Sequence, residues 1–117
     1  MAKFGRDMRL KSPGEFTRVF RRARRTGGQG LTILAVENTQ GHPRLGMAIA
    51  KKHIRLATQR NRIKRIIRES FRMHQQDFPD IDIVVLSRSD LGKRNATEIR
   101  QVLMRHWATV RQQWRKV

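Results

Sequence analysis

The chain is 117 residues long, the size of one domain, and carries 27 Lys and Arg against 9 Asp and Glu, a formal charge of +18. Like charges at this density repel one another, and the remedy is a polyanion whose condensed counterions are released on binding. Cysteine is absent, which excludes disulfides and thiolate zinc sites; without a long apolar stretch, a lipidation signal or a secretory leader, the expectation is a cytoplasmic protein with no membrane partner.

No repeat, low-complexity block or linker divides the chain, so residues 1–117 read as a single domain. Ser12, Pro13, Gly14 and Glu15 have the order of a capping box with proline at the first helical position, and predict a short helix. Phe16, Val19 and Phe20 fall on one of its faces. Gly27, Gly28 and Gly30 end any helix there, and the arginine-rich stretch before Gly27 is a further candidate for extended chain. Residues 31–37 and 44–50 read as strands, and the turn-rich segment 38–43 predicts an antiparallel hairpin between them. Residues 57–74 switch to helical period, with Ile63, Ile66, Ile67 and Phe71 on one side. Residues 80–87 form a nearly continuous apolar run, the pattern of a strand covered on both faces. A last helix starts near Asn95 or Thr97 and lays Ile99, Val102, Leu103, His106, Trp107, Val110 and Trp114 along one stripe. The predicted order is α, β, β, α, β, α.

At about 100° per residue, Arg60, Lys64 and Arg68 with Asn61, Arg65 and Arg72 sweep one broad sector of the central helix opposite its apolar side, with Arg62 near the edge. Most charged helix faces are simply solvated, but they intersperse acids for i,i+4 pairing, and residues 60–68 contain none. A bound polyanion explains that density better. Arg can hold phosphate oxygens in pairs, Lys adds a point charge, and Asn61 can donate and accept toward bases or riboses.

Lys51-Lys52 followed by Arg60-Asn61-Arg62-Ile63-Lys64-Arg65-Ile66-Ile67-Arg68-Glu69 resembles the signature of the ribonuclease P protein family. The likeness extends through Arg9-Leu10, the segment from Phe16 to Phe20, the strand with Gly46, the apolar strand from Ile81 to Leu86 and the final helix. It implies an α+β fold: a small two-layer α/β sandwich, its four-stranded sheet packed by helices, similar to a domain of some ribosomal proteins and translation factors. It also implies a left-handed crossover through the central helix, against the general right-handed rule. By the same resemblance, Lys51, Lys52, Arg60, Asn61, Arg62, Lys64, Arg65 and Arg68 would bind the catalytic RNA subunit. A shallow cleft would hold the 5′ leader of precursor tRNA at Phe16, Phe20 and Leu34, the last standing where many members carry an aromatic. Mg²⁺ would be held mainly by the RNA subunit, with none bound by the protein alone. The protein would lower the Mg²⁺ requirement of a tRNA 5′ endonuclease whose chemistry lies in RNA.

Phe16 and Phe20 fit ordinary core packing equally well. His42, His53, His74 and His106 have no ligand spacing, so no metal site and no catalytic residue is assigned. Asp80 and Asp82 could pair as metal ligands, but they flank a strand start and read rather as solubilising acids. Trp107 reads as core, while Trp114 fits core or a stacking platform. The rival function is a non-enzymatic ribosomal or RNA-chaperone protein, against which the signature weighs; a nuclease acting by itself would need clustered acids or a His pair.

Overall fold

The structure, a computed structural model, describes residues 9–10 and 12–114. Helix α1 (Pro13–Arg22) leads into strands β1 (Arg24–Gly28), β2 (Leu31–Glu37) and β3 (Arg44–Ala48). Helix α2 (Ala57–His74), strand β4 (Ile81–Ser87) and helix α3 (Ala96–Gln113) complete the order, with single 3₁₀ turns at Gln75–Asp77 and Leu91–Lys93. The α+β class and the four-stranded sheet agree with the expectation.

Both capping predictions hold. Ser12 Oγ accepts from the Glu15 N–H while the Glu15 carboxylate accepts from the Ser12 N–H, and Asn95 and Glu98 repeat the exchange at the start of α3. The α2 helix is different: Leu56 precedes it without a side-chain cap, and its first turn holds no acid.

The sheet order is β1-β2-β4-β3, so the expected hairpin between residues 31–37 and 44–50 does not form. Strand β4 inserts between the two, antiparallel to β2 and parallel to β3. Its run Ile81, Ile83, Val84 and Val85 is fully buried, and a central place covers both its edges as well as its faces. The strand expected over residues 44–50 is β3, which stops at Ala48, two residues short of the expected end. The hairpin that does form joins β1 to β2 through Gln29 and Gly30, at φ 57 and 94. Two positive φ values define the turn that matches strand twist. Gly30 is required there on a second count, since a Cβ would stand 3.0 Å from Leu91 Cα.

Alternation along the strands sorts the apolar side chains onto two faces. Leu31, Ile33, Ala35, Ile81, Ile83 and Val85 pack under α2 and α3. On the other face Leu34, Val36 and Val84 pack with Val19 of α1. Trp107 is fully buried, edge-on to Phe71 and Phe78, and donates its indole N–H to Ser70 Oγ at 2.7 Å. Truncating Phe71 or Trp107 would cost about 3–5 kcal/mol. Trp114 is half-buried, with the Arg24 guanidinium 4.9 Å from its ring centroid. No helix among the described residues is long and apolar enough to cross a membrane.

Asp82 is not a solubilising acid. Its side chain has no exposed surface, and its carboxylate accepts from Arg18 at 2.6 Å and from Asn38 and both donor edges of Arg44 at 2.8 Å. Burial alone would raise its pKa. The bonds from Arg44, Asn38 and Arg18 outweigh that, and the carboxyl is held below its ordinary value. The cluster joins α1, β3, β4 and the loop after β2, and Glu15 adds a second carboxylate to Arg44.

Candidate nucleic-acid interface

Burial of Ile63, Ile66, Ile67 and Phe71 fixes the roll of α2 and therefore where each cation points. Arg62, Lys64, Arg65 and Arg68 form no ion pair among the described residues. Arg65 and Arg68 line a shallow depression with Arg9, Arg72 and the lone acid Glu69. Arg9 reaches this place because residues 9–10 run beside the outer edge of β3, with Arg9 bridged to Leu45 and the Leu10 N–H donating to the Leu45 carbonyl. Asn61 is exposed next to this flank.

Two signature residues behave differently. The Arg60 guanidinium turns back and donates to the carbonyls of Ile54 and Arg55, both at 2.9 Å, so it braces the loop that enters α2. Arg62 lies on the opposite flank of the helix, where it lines a cleft between α2 and α3 with Gln59 and Arg94. The signature thus occupies two sides of α2.

Lys51 and Lys52 are exposed in the turn between β3 and α2. That turn is pinned to the sheet by Ser87, whose hydroxyl accepts from the Ala50 N–H and bonds His53 Nδ1, each at 2.8 Å. The two lysines therefore belong to the segment that leads into the uncapped start of α2, where the helix dipole adds positive potential.

The second candidate region lies across the sheet, on the face that carries α1. Phe16 is half-buried, with ring atoms 2.7 Å from the point where a Cβ on Gly46 would stand. Phe20 is 52% exposed, on the flank of α1 turned away from Arg18. Leu34 is packed beneath α1 with Val19 and Val84 and has 4% of its surface exposed, so the three residues do not form one open platform.

The strand register adds residues that sequence reading missed. Arg25 is level with Leu34 and Ala48 with Leu86, all facing the side of α1. Arg88 bends over the same surface, its guanidinium 3.5 Å from Thr32 Oγ1. Period-two alternation was the available signal, but it gives a shared face only once strand order is known.

Asp82 is ringed by guanidinium and amide donors, and no group of three or more His, Cys, Asp or Glu side chains among the described residues converges on a point where a metal could sit. His106 is buried, with Nε2 donating to the Gly28 carbonyl at 3.1 Å. Burial lowers its pKa, the Gly28 bond opposes, and Arg105 lowers it further, for a net decrease.

A family model for Ribonuclease P matches residues 4–111. The ribonuclease P protein components of Pectobacterium atrosepticum and Yersinia enterocolitica are each 48% identical to this chain over 105 residues, spanning 87% of it and 88% of the relative. Among solved structures, the RNase P protein of Staphylococcus aureus superposes with a TM-score of 0.81 at 28% identity, covering 88% of this chain and 96% of that one. The Thermotoga maritima protein gives 0.73 at 27% identity, covering 89% and 96%. With a family model across most of the chain, relatives 48% identical to it and solved RNase P proteins that share its fold, the chain belongs to the ribonuclease P protein family, the protein components of a tRNA-processing endonuclease.

Proposed function

We propose that this subunit binds the catalytic RNA of ribonuclease P through the cations of α2 and the Lys51-Lys52 turn, and the 5′ leader of precursor tRNA on the opposite face of the sheet. The observation that carries the reading is the construction of α2. Helices α1 and α3 each begin with a capping box and an acid in the first turn, as an isolated helix prefers, whereas α2 has neither and adds cations along its length. A helix built against its own stability is compensated by phosphate. Arg65 and Arg68 would take phosphate oxygens, Lys51 and Lys52 would neutralise a strand near the start of α2, and Arg60 would hold the intervening loop in shape.

On the other face, Phe20 would offer a ring to a leader base, with Arg25 and Arg88 toward its phosphates and the exposed edge of Phe16 beside them. Leu34 would serve as apolar floor beneath. Strand cleavage would use water activated at Mg²⁺ held mainly by the RNA subunit. The protein's part is to offset repulsion between two polyanions and to hold the leader, which lowers the Mg²⁺ requirement.

Reconstitution tests this. Protein alone should leave precursor tRNA intact, catalytic RNA alone should cut it slowly at high Mg²⁺, and the mixture should cut it at low Mg²⁺. Specific 5′ cleavage by RNA-free protein would overturn the assignment of chemistry to RNA. The Phe20→Leu holoenzyme should bind precursor tRNA about 5- to 150-fold more weakly, the equivalent of one lost base stack, and mature tRNA unchanged. Equal weakening of both ligands would remove Phe20 from the leader site.

A further inference from the structure

The cleft between α2 and α3 has a volume of about 190 Å³ and an apolar lining that includes Ile54, Ile63, Ile66, Leu91 and Ile99. The polar side chains that line it are of two kinds: the guanidinium residues Arg62 and Arg94, and the amide residues Gln59 and Asn95. Asn95 Oδ1 is occupied by the Glu98 N–H, which leaves its amide N–H₂ as a donor. Arg94 has only a long 3.5 Å contact to Asp90 Oδ2, and its Nε is buried with no partner among the described residues. Apolar walls with a few convergent polar groups are the construction of a ligand pocket, and this one is below the roughly 300 Å³ at which drug-sized sites begin. It suits one planar ring system bearing a phosphate.

We infer that the cleft between α2 and α3 is a nucleotide pocket, which receives a single unstacked base of the catalytic RNA while Arg62 and Arg94 hold its phosphates. The inference rests on the RNA-binding reading of α2. It explains why Arg62 stands on the flank away from Arg65 and Arg68: the RNA passes over both sides of the helix, touching backbone on one and inserting a base on the other. Single-stranded RNA is commonly recognised by bases splayed out of the stack, with amides reading the edge of the ring. The walls here are aliphatic, so the base is held by shape and dispersion and by amide hydrogen bonds.

Ala96→Leu tests the pocket, because it fills the cleft from the first turn of α3 without altering a charge. The variant should assemble with the catalytic RNA about ten- to a hundredfold more weakly, the scale of one lost base contact, with the salt dependence unchanged. Base-specific chemical probing should show one unpaired nucleotide protected by wild-type protein and reactive with the variant. Wild-type affinity and identical protections in a folded Ala96→Leu protein would overturn the inference.

A measurement on unaltered protein guards against a folding defect: adenosine monophosphate should shift the methyl resonances of Ile63 and Ile99, and ribose 5-phosphate should not. Equal shifts from both, or none, would also overturn it. If wild-type protein fails to assemble with the catalytic RNA, the broader reading falls instead, so the two failures are distinct.

Discussion

Asp82→Asn should be the most damaging conservative change outside the apolar core. The carboxylate accepts four hydrogen bonds at 2.6–2.8 Å, two at each oxygen, all from Arg18, Asn38 and Arg44. Asparagine keeps the shape but replaces one oxygen with an N–H₂ group, so two of the four contacts become donor against donor. It also leaves the Arg44 guanidinium, whose side chain is 11% exposed, with Glu15 as its remaining carboxylate. Breaking one side of a buried ion pair typically costs about 3–5 kcal/mol, a large share of the roughly 5–15 kcal/mol that holds a domain together. At this length the loss should lower Tm by about 10–20 °C. Urea unfolding followed by Trp fluorescence measures it directly, with the slope m unchanged if only the native state is affected. Because the folded pKa is depressed, the stabilisation is complete above the unfolded carboxyl value near 3.9 and is lost as pH falls through the folded pKa. The wild-type curve should therefore drop below about pH 4, and the variant should lack that part of the drop. A loss under about 1 kcal/mol, the scale of an exposed pair, would refute the claim that Asp82 is a buried hub.

Arg65→Ala should flatten the dependence of log affinity for the catalytic RNA on log salt by about one unit, read from binding isotherms at several salt concentrations. Unchanged slope and affinity would mean a merely solvated side chain. Gly46→Ala should cost about 1–3 kcal/mol in chemical denaturation, because the added methyl collides with the Phe16 ring and comes within 3.1 Å of Leu10 Cδ1. His106 has its pKa depressed, so the unfolded chain takes up the proton first; stability should be complete above the unfolded value near 6.5 and decline as pH falls through it. His106→Gln should remove that decline from urea midpoints measured between about pH 5 and 7.

What could be read from sequence was local. Ser12 with Glu15 and Asn95 with Glu98 are capping pairs three residues apart, and the period of Ile63, Ile66, Ile67 and Phe71 sets the roll of α2. Strand order is a competition among distant segments, and there the nearest pairing was the wrong one. A short turn between β2 and β3 favours a hairpin by loop entropy alone, but burying Ile81, Ile83, Val84 and Val85 at the centre of the sheet outweighs it. Strand β1 carries exposed Arg24 and Arg25, and so lacks the apolar alternation that marks a strand. Asp82 was misread because Arg44 and Arg18 lie 38 and 64 residues away in the chain, a separation no local pattern reports.

The two candidate surfaces differed in legibility for the same reason. The α2 cations could be placed because a helix carries its own angular coordinate: the buried isoleucines define one side and every other side chain follows. Even so, the angle does not say what a side chain meets. Arg60 lies within the cationic sector yet bends back to the carbonyls of Ile54 and Arg55, and Arg62 faces α3 across the cleft. The surface beside α1 has no such internal coordinate. It is assembled from Phe20, Arg25, Ala48, Leu86 and Arg88, contributed by a helix, three different strands and the segment that leaves β4, and they share a face only because β4 runs between β2 and β3 in one register. Shifting β4 by one residue would turn Leu86 and Val84 toward α2 and expose Ile83 and Val85 beside α1. The burial of those two side chains under α2 and α3 therefore holds the register that places the α1-side surface across the sheet from the cationic helix.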